Sequence, residues 1–178
     1  MIPRLLQTVL LALLAFGAMP LRADQEDSPD IPGEFSPPTP WAEADFVLPP
    51  VPGDGDWVRL SARPGGAVMD MALVPDSVEV GADGVVRYVL ALESPSGARN
   101  VFFEGIRCDG GEWRSYAYLA RGRWQSLGET AWSTLHDWGT DAYRYLLYRN
   151  YFCRLEGEPL PVAEIRRRIR HDDIPPEL

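Results

Sequence analysis

Arg87 and Glu104 are the opposite charges best placed to act together. Each sits inside a segment rich in β-branched and aromatic residues, Val85 to Leu90 and Asn100 to Cys108. If Ser94-Pro95-Ser96-Gly97 is a four-residue hairpin loop between these segments, positions 87 and 104 stand directly opposite one another. Two readings are open. A cross-strand ion pair would stabilise a sheet by a few tenths to about 1 kcal/mol. A half-buried pair would instead present Arg87 or Arg107 to an anionic ligand, because the planar guanidinium matches a carboxylate or phosphate.

Aromatic residues concentrate late in the chain. Trp113, Trp124, Trp132, Trp138 and six of the seven tyrosines lie between residues 113 and 151, interleaved with Arg114, Arg121, Arg123, Arg144 and Arg149. Rings beside guanidinium groups can hold a sugar or a peptide. A small domain also needs large side chains for its core. Core is the plainer reading for most of them, and Trp132 and Trp138, in an irregular stretch, are the two expected at the surface. Arg166-Arg167-Arg168 with Arg170 and His171 form the one basic cluster, expected as a solvated helix face that can attract acidic chain in a salt-dependent way.

Other chemistries are excluded by what is missing. All 17 basic residues are arginine, so no Schiff-base lysine, Ser-Lys dyad or P-loop lysine is available. The two histidines, His136 and His171, lack metal-ligand spacing, and no G-x-S-x-G, H-E-x-x-H or phosphate-loop pattern occurs. No cofactor, metal or catalytic residue is therefore assigned. Asp54-Gly55-Asp56 lacks the further ligands of a calcium loop and reads as a turn. Glu104 with Asp109 or Glu112 is the carboxylate pairing that a glycan hydrolase would use. A net charge of −9 on 178 residues argues against a nucleic-acid partner.

These residues must be positioned by a domain that begins well inside the chain. Residues 1–23 read as a signal peptide, with Arg4 before the apolar run from Leu5 to Met19 and Pro20 after it. The run of 15 residues is shorter than the roughly 20 that span a bilayer, so no stable membrane insertion is expected after cleavage. Export places Cys108 and Cys153 in an oxidising compartment, where an even count reads as one disulfide. Residues 24–56 hold eight prolines, nine acids and no basic residue, the composition of a disordered acidic leader, with Trp41, Phe46 and Leu48 as docking points. Residues 57–178 then carry a net charge of only −2, so the acidity belongs to the leader.

From Trp57 the pattern is of short strands separated by turn residues, including Asp83-Gly84, Ser94 to Gly97, Gly110-Gly111 and Arg121-Gly122. Five or six antiparallel strands in a meander are expected, as far as Leu127. The period then changes. Thr140 or Asp141 can cap a helix running to about Cys153, and Pro161 opens a last helix over 162–170 whose apolar positions are Val162, Ile165 and Ile169. Strands first and helices last give an α+β domain with one or two C-terminal helices on a curved sheet.

Several words in these segments resemble the cryptic neisserial protein family of exported bacterial proteins. They are Gly81-Ala-Asp-Gly-Val-Val-Arg-Tyr88, Gly97-Ala-Arg-Asn-Val101, Glu104-Gly-Ile-Arg-Cys108, Tyr116-Ala117 and Tyr151-Phe-Cys153, with Trp41-Ala-Glu43 and Leu48-Pro-Pro50 in the leader. The resemblance runs from about residue 41 to 170, and Tyr118-Leu119 departs from the Gly-Arg more usual there. It implies export and a shared domain, and it brings no activity or catalytic residue with it.

The expected protein is thus a periplasmic or secreted binding or accessory domain of the envelope without catalysis. Its ligand-binding candidates are Arg87, Glu104, Arg107, Trp132 and Trp138, and its partner an envelope protein or a glycan. The alternatives are a small cell-wall glycan hydrolase using paired carboxylates and a structural partner of another envelope protein.

Overall fold

The computed structural model describes residues 40–61 and 69–173. The expected signal peptide lies outside the described residues, as does the first part of the leader, residues 24–39. One antiparallel sheet is built from β1 (Val58–Leu60), β2 (Asp70–Leu73), β3 (Glu79–Val80), β4 (Val85–Glu93), β5 (Arg99–Arg107), β6 (Glu112–Ala120), β7 (Arg123–Ser126) and β8 (Ser133–Thr134). Its main path is β1-β2-β4-β5-β6-β7, while the two-residue strands β3 and β8 pair with β4 and β6. The sheet therefore extends the expected five or six strands by two short edge pieces. Two helices follow, α1 (Ala142–Leu147), continued by a π-helical turn Tyr148–Phe152, and α2 (Val162–His171).

The centre of the sheet is β4, in which eight of nine residues are buried. That fits its near-unbroken apolar sequence, since a strand covered on both faces has no solvent side to keep polar. The helix expected to run evenly to Cys153 changes pitch halfway. Cys153 N–H reaches back to the Tyr148 carbonyl at 3.0 Å, and Cys153 itself is extended. The Cys108–Cys153 disulfide, with a Cα separation of 5.6 Å, fixes the end of this turn to the end of β5. Pro161 precedes the last helix, which buries Ile165 and Ile169 against the sheet.

The β4–β5 register corrects one expectation. Glu93 pairs with Arg99, which puts Arg87 opposite Gly105 and Tyr88 opposite Glu104. The loop closes one residue later than a Ser94–Gly97 turn, because Ser94 N–H bonds the Ala98 carbonyl at 2.9 Å and Gly97 takes a φ of +84°. A slip of one residue moves a side chain to the other face. Arg87 and Glu104 are consequently on opposite sides of the sheet.

Each face has its own core. The helix side buries Leu73, Val86, Tyr88, Leu90 and Ile106 with Leu147, Tyr151, Phe152, Ile165 and Ile169. The other side buries Val74, Val89, Ala91, Val101, Phe103, Tyr116 and Ala117. This second face is covered by part of the segment expected to be leader. Residues 40–56 form a strap, without helix or strand as far as Gly53, that belongs to the compact unit Pro40–Leu178. Phe46 of the strap stacks on Tyr116 with ring centres 4.3 Å apart, and the Trp124 indole N–H donates to the Pro49 carbonyl at 2.7 Å. Leu48, the third expected docking point, is 38 % exposed.

Candidate functional site

On the helix side, Glu104 is fully buried and both of its carboxylate oxygens are occupied. Oε1 accepts from Arg144 Nη2 at 2.7 Å, Ser115 Oγ at 2.9 Å and Tyr143 Oη at 3.3 Å. Oε2 accepts from Arg144 Nε at 3.0 Å and Tyr88 Oη at 3.1 Å. Arginine's planar fork makes the two-point contact possible, and the three hydroxyls satisfy lone pairs that burial would otherwise strand. Burial pushes the Tyr88 and Tyr143 phenols upward, and the neighbouring Glu104 charge adds to it, so both remain protonated donors. Burial alone would lower Arg144, but its bonds to Glu104 outweigh that and raise it.

Arg144 also carries the floor of a cleft. Its third nitrogen donates to Asp141 at 2.8 Å, and the Trp113 ring lies across its guanidinium with 3.3 Å from carbon to ring centre. Around them Met69, Met71, Leu92, Phe102 and Tyr143 enclose about 780 Å³. Among the described residues, Asp141 and Arg144 are the two charged ones lining this space. The strands bring Leu92, Phe102 and Trp113 to one face, and the turn Gly139–Asp141 with the start of α1 closes the side.

A second network lies on the opposite face. Arg87, 1 % exposed, is gripped from the β3–β4 turn by Asp83, whose Oδ2 accepts from Nη2 at 2.6 Å. The strap's Glu43 completes it, accepting from Tyr116 Oη at 2.6 Å, from Arg114 Nη1 and from Arg87 Nη2 at 3.3 Å. Burial pushes Asp83 up, but hydrogen bonds from Arg87 and from the Ala44 and Val85 N–H groups prevail and hold it below the ordinary aspartate value. Tyr116 is raised by burial and by its bond to Glu43. Trp41 fixes the start of the strap, with its indole N–H on the Asp83 carbonyl at 2.9 Å and its ring edge-on to Trp132 at 5.6 Å.

The five sequence candidates are thereby divided. Arg87 and Trp132 belong to the strap side, together with Arg107, whose guanidinium lies 4.5 Å from the Trp41 ring centre and ion-pairs Asp109 and Glu112. Glu104 belongs to the helix side. Trp138 is 68 % exposed, stacked on His136, next to the turn that borders the cleft. The pairing of Glu104 with Asp109 or Glu112 does not form, because Glu104 is sealed under Arg144 while the other two hold Arg107. Asp54–Asp56 is a 3₁₀ turn closed by Gly53 N–H on Asp56 Oδ2 at 2.8 Å, and no group of three or more potential metal ligands occurs among the described residues.

The basic cluster on α2 is engaged within the domain. Arg166 donates to the Val78 carbonyl, Arg167 and Arg168 to Glu164, and Arg170 to Asp76. Asp83, Arg114, Tyr116 and Arg144 completed the networks without being singled out by spacing. Asp83 grips Arg87 only four residues on, but the partners that tie these residues to other elements are 39 to 73 residues away in the chain. Glu43, Asp83 and Tyr116 share one signal, since each lies in a word of the family resemblance.

Among the described residues no helix is long and apolar enough to cross a membrane, and the disulfide is the pairing of an oxidising compartment. No curated protein and no solved structure matches the chain. A model of the CNP1-like family matches residues 36–170, spanning the strap, both arginine–carboxylate networks and the disulfide, and the chain belongs to that family.

Proposed function

We propose that this is an exported, periplasmic or secreted binding domain of the cell envelope, without catalysis, whose ligand seat is the cleft on the helix side of the sheet. One observation carries the reading. The two charged residues that line the cleft among the described residues, Asp141 and Arg144, bond one another at 2.8 Å, and Arg144 spends its other nitrogens on Glu104. A hydrolytic site needs an acid and a base with free oxygens facing the substrate. This cleft offers apolar and aromatic walls over a floor whose charged groups are paired with one another, with a volume in the range of small-ligand sites. It suits the apolar part of an envelope molecule, an acyl chain or an aromatic group.

Titration with the fluorescent apolar probe anilinonaphthalene sulfonate tests the seat. Saturable one-to-one binding is expected, weakened several-fold in Phe102→Ala at a temperature where that variant is folded. A wild-type chain that gives no saturable signal overturns the reading. Export is tested separately by the N-terminal residue of the protein recovered from a periplasmic fraction. A terminus near residue 24 is expected, and an unprocessed chain retained in the cytoplasm refutes it.

A further inference from the structure

We propose that Arg87, Arg114 and Tyr116 form a recognition site for a carboxylate-bearing peptide segment, and that Glu43 of the strap is its resident occupant. The site lies on the face of the sheet away from the cleft, so it stands independently of that assignment.

The receiving side is built by the sheet itself. Arg87 is held by Asp83 from the adjoining turn, and Gly81 leaves room for it, since a Cβ there would meet Arg87 Nη1 at 2.5 Å. Tyr116 packs on Phe103 with ring centres 5.3 Å apart, and the Arg114 guanidinium rests over the rings of Tyr116 and Trp132. None of these supports comes from the strap, and a receptor shaped before its ligand arrives loses less entropy on binding.

The strap, by contrast, is bound as a peptide is bound. Residues 40–53 form no strand with the sheet. They are held by the Glu43 carboxylate, by the Trp41 and Phe46 rings two residues before and three after it, and by a few hydrogen bonds such as Ala44 N–H to Asp83 at 2.9 Å. Val47, Val51, Leu48 and Phe46 are 37 to 82 % exposed, so the segment lies on the surface.

Charge explains why the site must be filled. With Glu43 in place, two guanidinium groups face two carboxylates. Without it Arg87, whose side chain is 1 % exposed, keeps Asp83, while Arg114, 13 % exposed, loses the carboxylate it pairs with, and a cation left buried and unpaired is costly. Even with Glu43 seated, the Nε atoms of Arg87 and Arg114 are buried without a hydrogen-bond partner among the described residues, so the site has more donors there than its occupant uses. The partner this fits is an extended acidic segment of another protein, a glutamate flanked by aromatic residues, able to take the strap's place.

The experiment uses the full chain carrying Trp41→Ala, Glu43→Ala and Phe46→Ala, titrated with a synthetic peptide of residues 38–50. Saturable one-to-one binding is expected, about tenfold or more weaker for the peptide with glutamine at position 43, and weaker still to the wild-type chain, whose own strap competes at high effective concentration. Absence of binding to the folded variant, or equal binding of the glutamine peptide, overturns the proposal. If the triple variant does not fold, Glu43→Gln in the full chain replaces it. Hydrogen exchange of its strap amides must then slow when the wild-type peptide is withdrawn and quicken when it is added, and strap exchange indifferent to the peptide refutes the site.

Discussion

Arg87 and Glu104 lie on adjacent strands and point to opposite sides of the sheet, so each has found a partner from a different end of the chain. Arg87 meets Glu43 of the strap, and Glu104 meets Arg144 of the first helix. The sheet is thus pinned on both faces by a buried arginine–carboxylate contact at nearly the same position along β4 and β5. Both layers that cover it, strap and helices, are tied by charge as well as by apolar packing. The Cys108–Cys153 bond adds a covalent tie on the helix side four residues beyond Glu104.

Arg144→Ala is expected to destabilise the fold by about 3–5 kcal/mol, because it leaves the Glu104 carboxylate buried with hydroxyl partners only. Glu104→Gln with Arg144→Met, which removes both charges, should cost clearly less than the single arginine change. Urea unfolding of the two variants checks this. An Arg144→Ala protein within about 1 kcal/mol of wild type contradicts the role given to the pair.

Much of this fold was legible in the sequence, for reasons visible in particular residues. Short β-rich runs between glycine-containing turns gave the strands, and the spacing of Val162, Ile165 and Ile169 gave the last helix. The even cysteine count gave the disulfide. What failed was register. Ser94 to Gly97 looks like a four-residue loop, and only the Ser94–Ala98 bond reveals the extra residue that turns Arg87 away from Glu104. The strap was hidden for a different reason. Eight prolines and nine acids describe a chain without a core of its own. Composition cannot show that Trp41, Glu43 and Phe46 are complementary to a surface assembled from β4, β5 and β6.

Acid should loosen the strap side through Asp83. Its folded pKa lies below the ordinary value of 3.8, so its contribution is fully present above that pH and is lost as pH falls through the folded value. Asp172, lowered despite its burial by bonds from Ser61 and Tyr151, acts in the same direction at the end of α2. Melting temperature measured across the acid range should therefore fall more steeply below pH 3.8 in wild type than in Asp83→Asn. Parallel curves for the two proteins contradict this assignment.

Reduction of the disulfide should lower stability by roughly 4 kcal/mol, the loop-closure value for a separation of 45 residues. The loss should appear as a lower urea midpoint in the presence of a thiol reductant. It should be reproduced by a Cys108→Ser, Cys153→Ser chain, which removes the link without added reductant. A midpoint that reductant leaves untouched would mean that α1 and its π-helical turn are held by packing alone.

Gly105 offers the sharpest test of how the two faces are joined. It stands beside Glu104 but opens toward the strap side, where a Cβ would lie 2.5 Å from Tyr116 Oη and 2.9 Å from Val85 Cγ1. Tyr116 is 3 % exposed and wedged against Phe103 and Phe46, so it cannot yield without moving those rings. Its hydroxyl would then leave Glu43, although nothing on the helix side has been altered. Gly105→Ala should accordingly cost about 1–3 kcal/mol and speed hydrogen exchange of the strap amides, while the amides of α1 keep their protection relative to the global unfolding limit. If α1 and strap lose protection together, the sheet transmits the strain and the two networks act as one. If neither changes, the close approach of Tyr116 to residue 105 has no energetic weight.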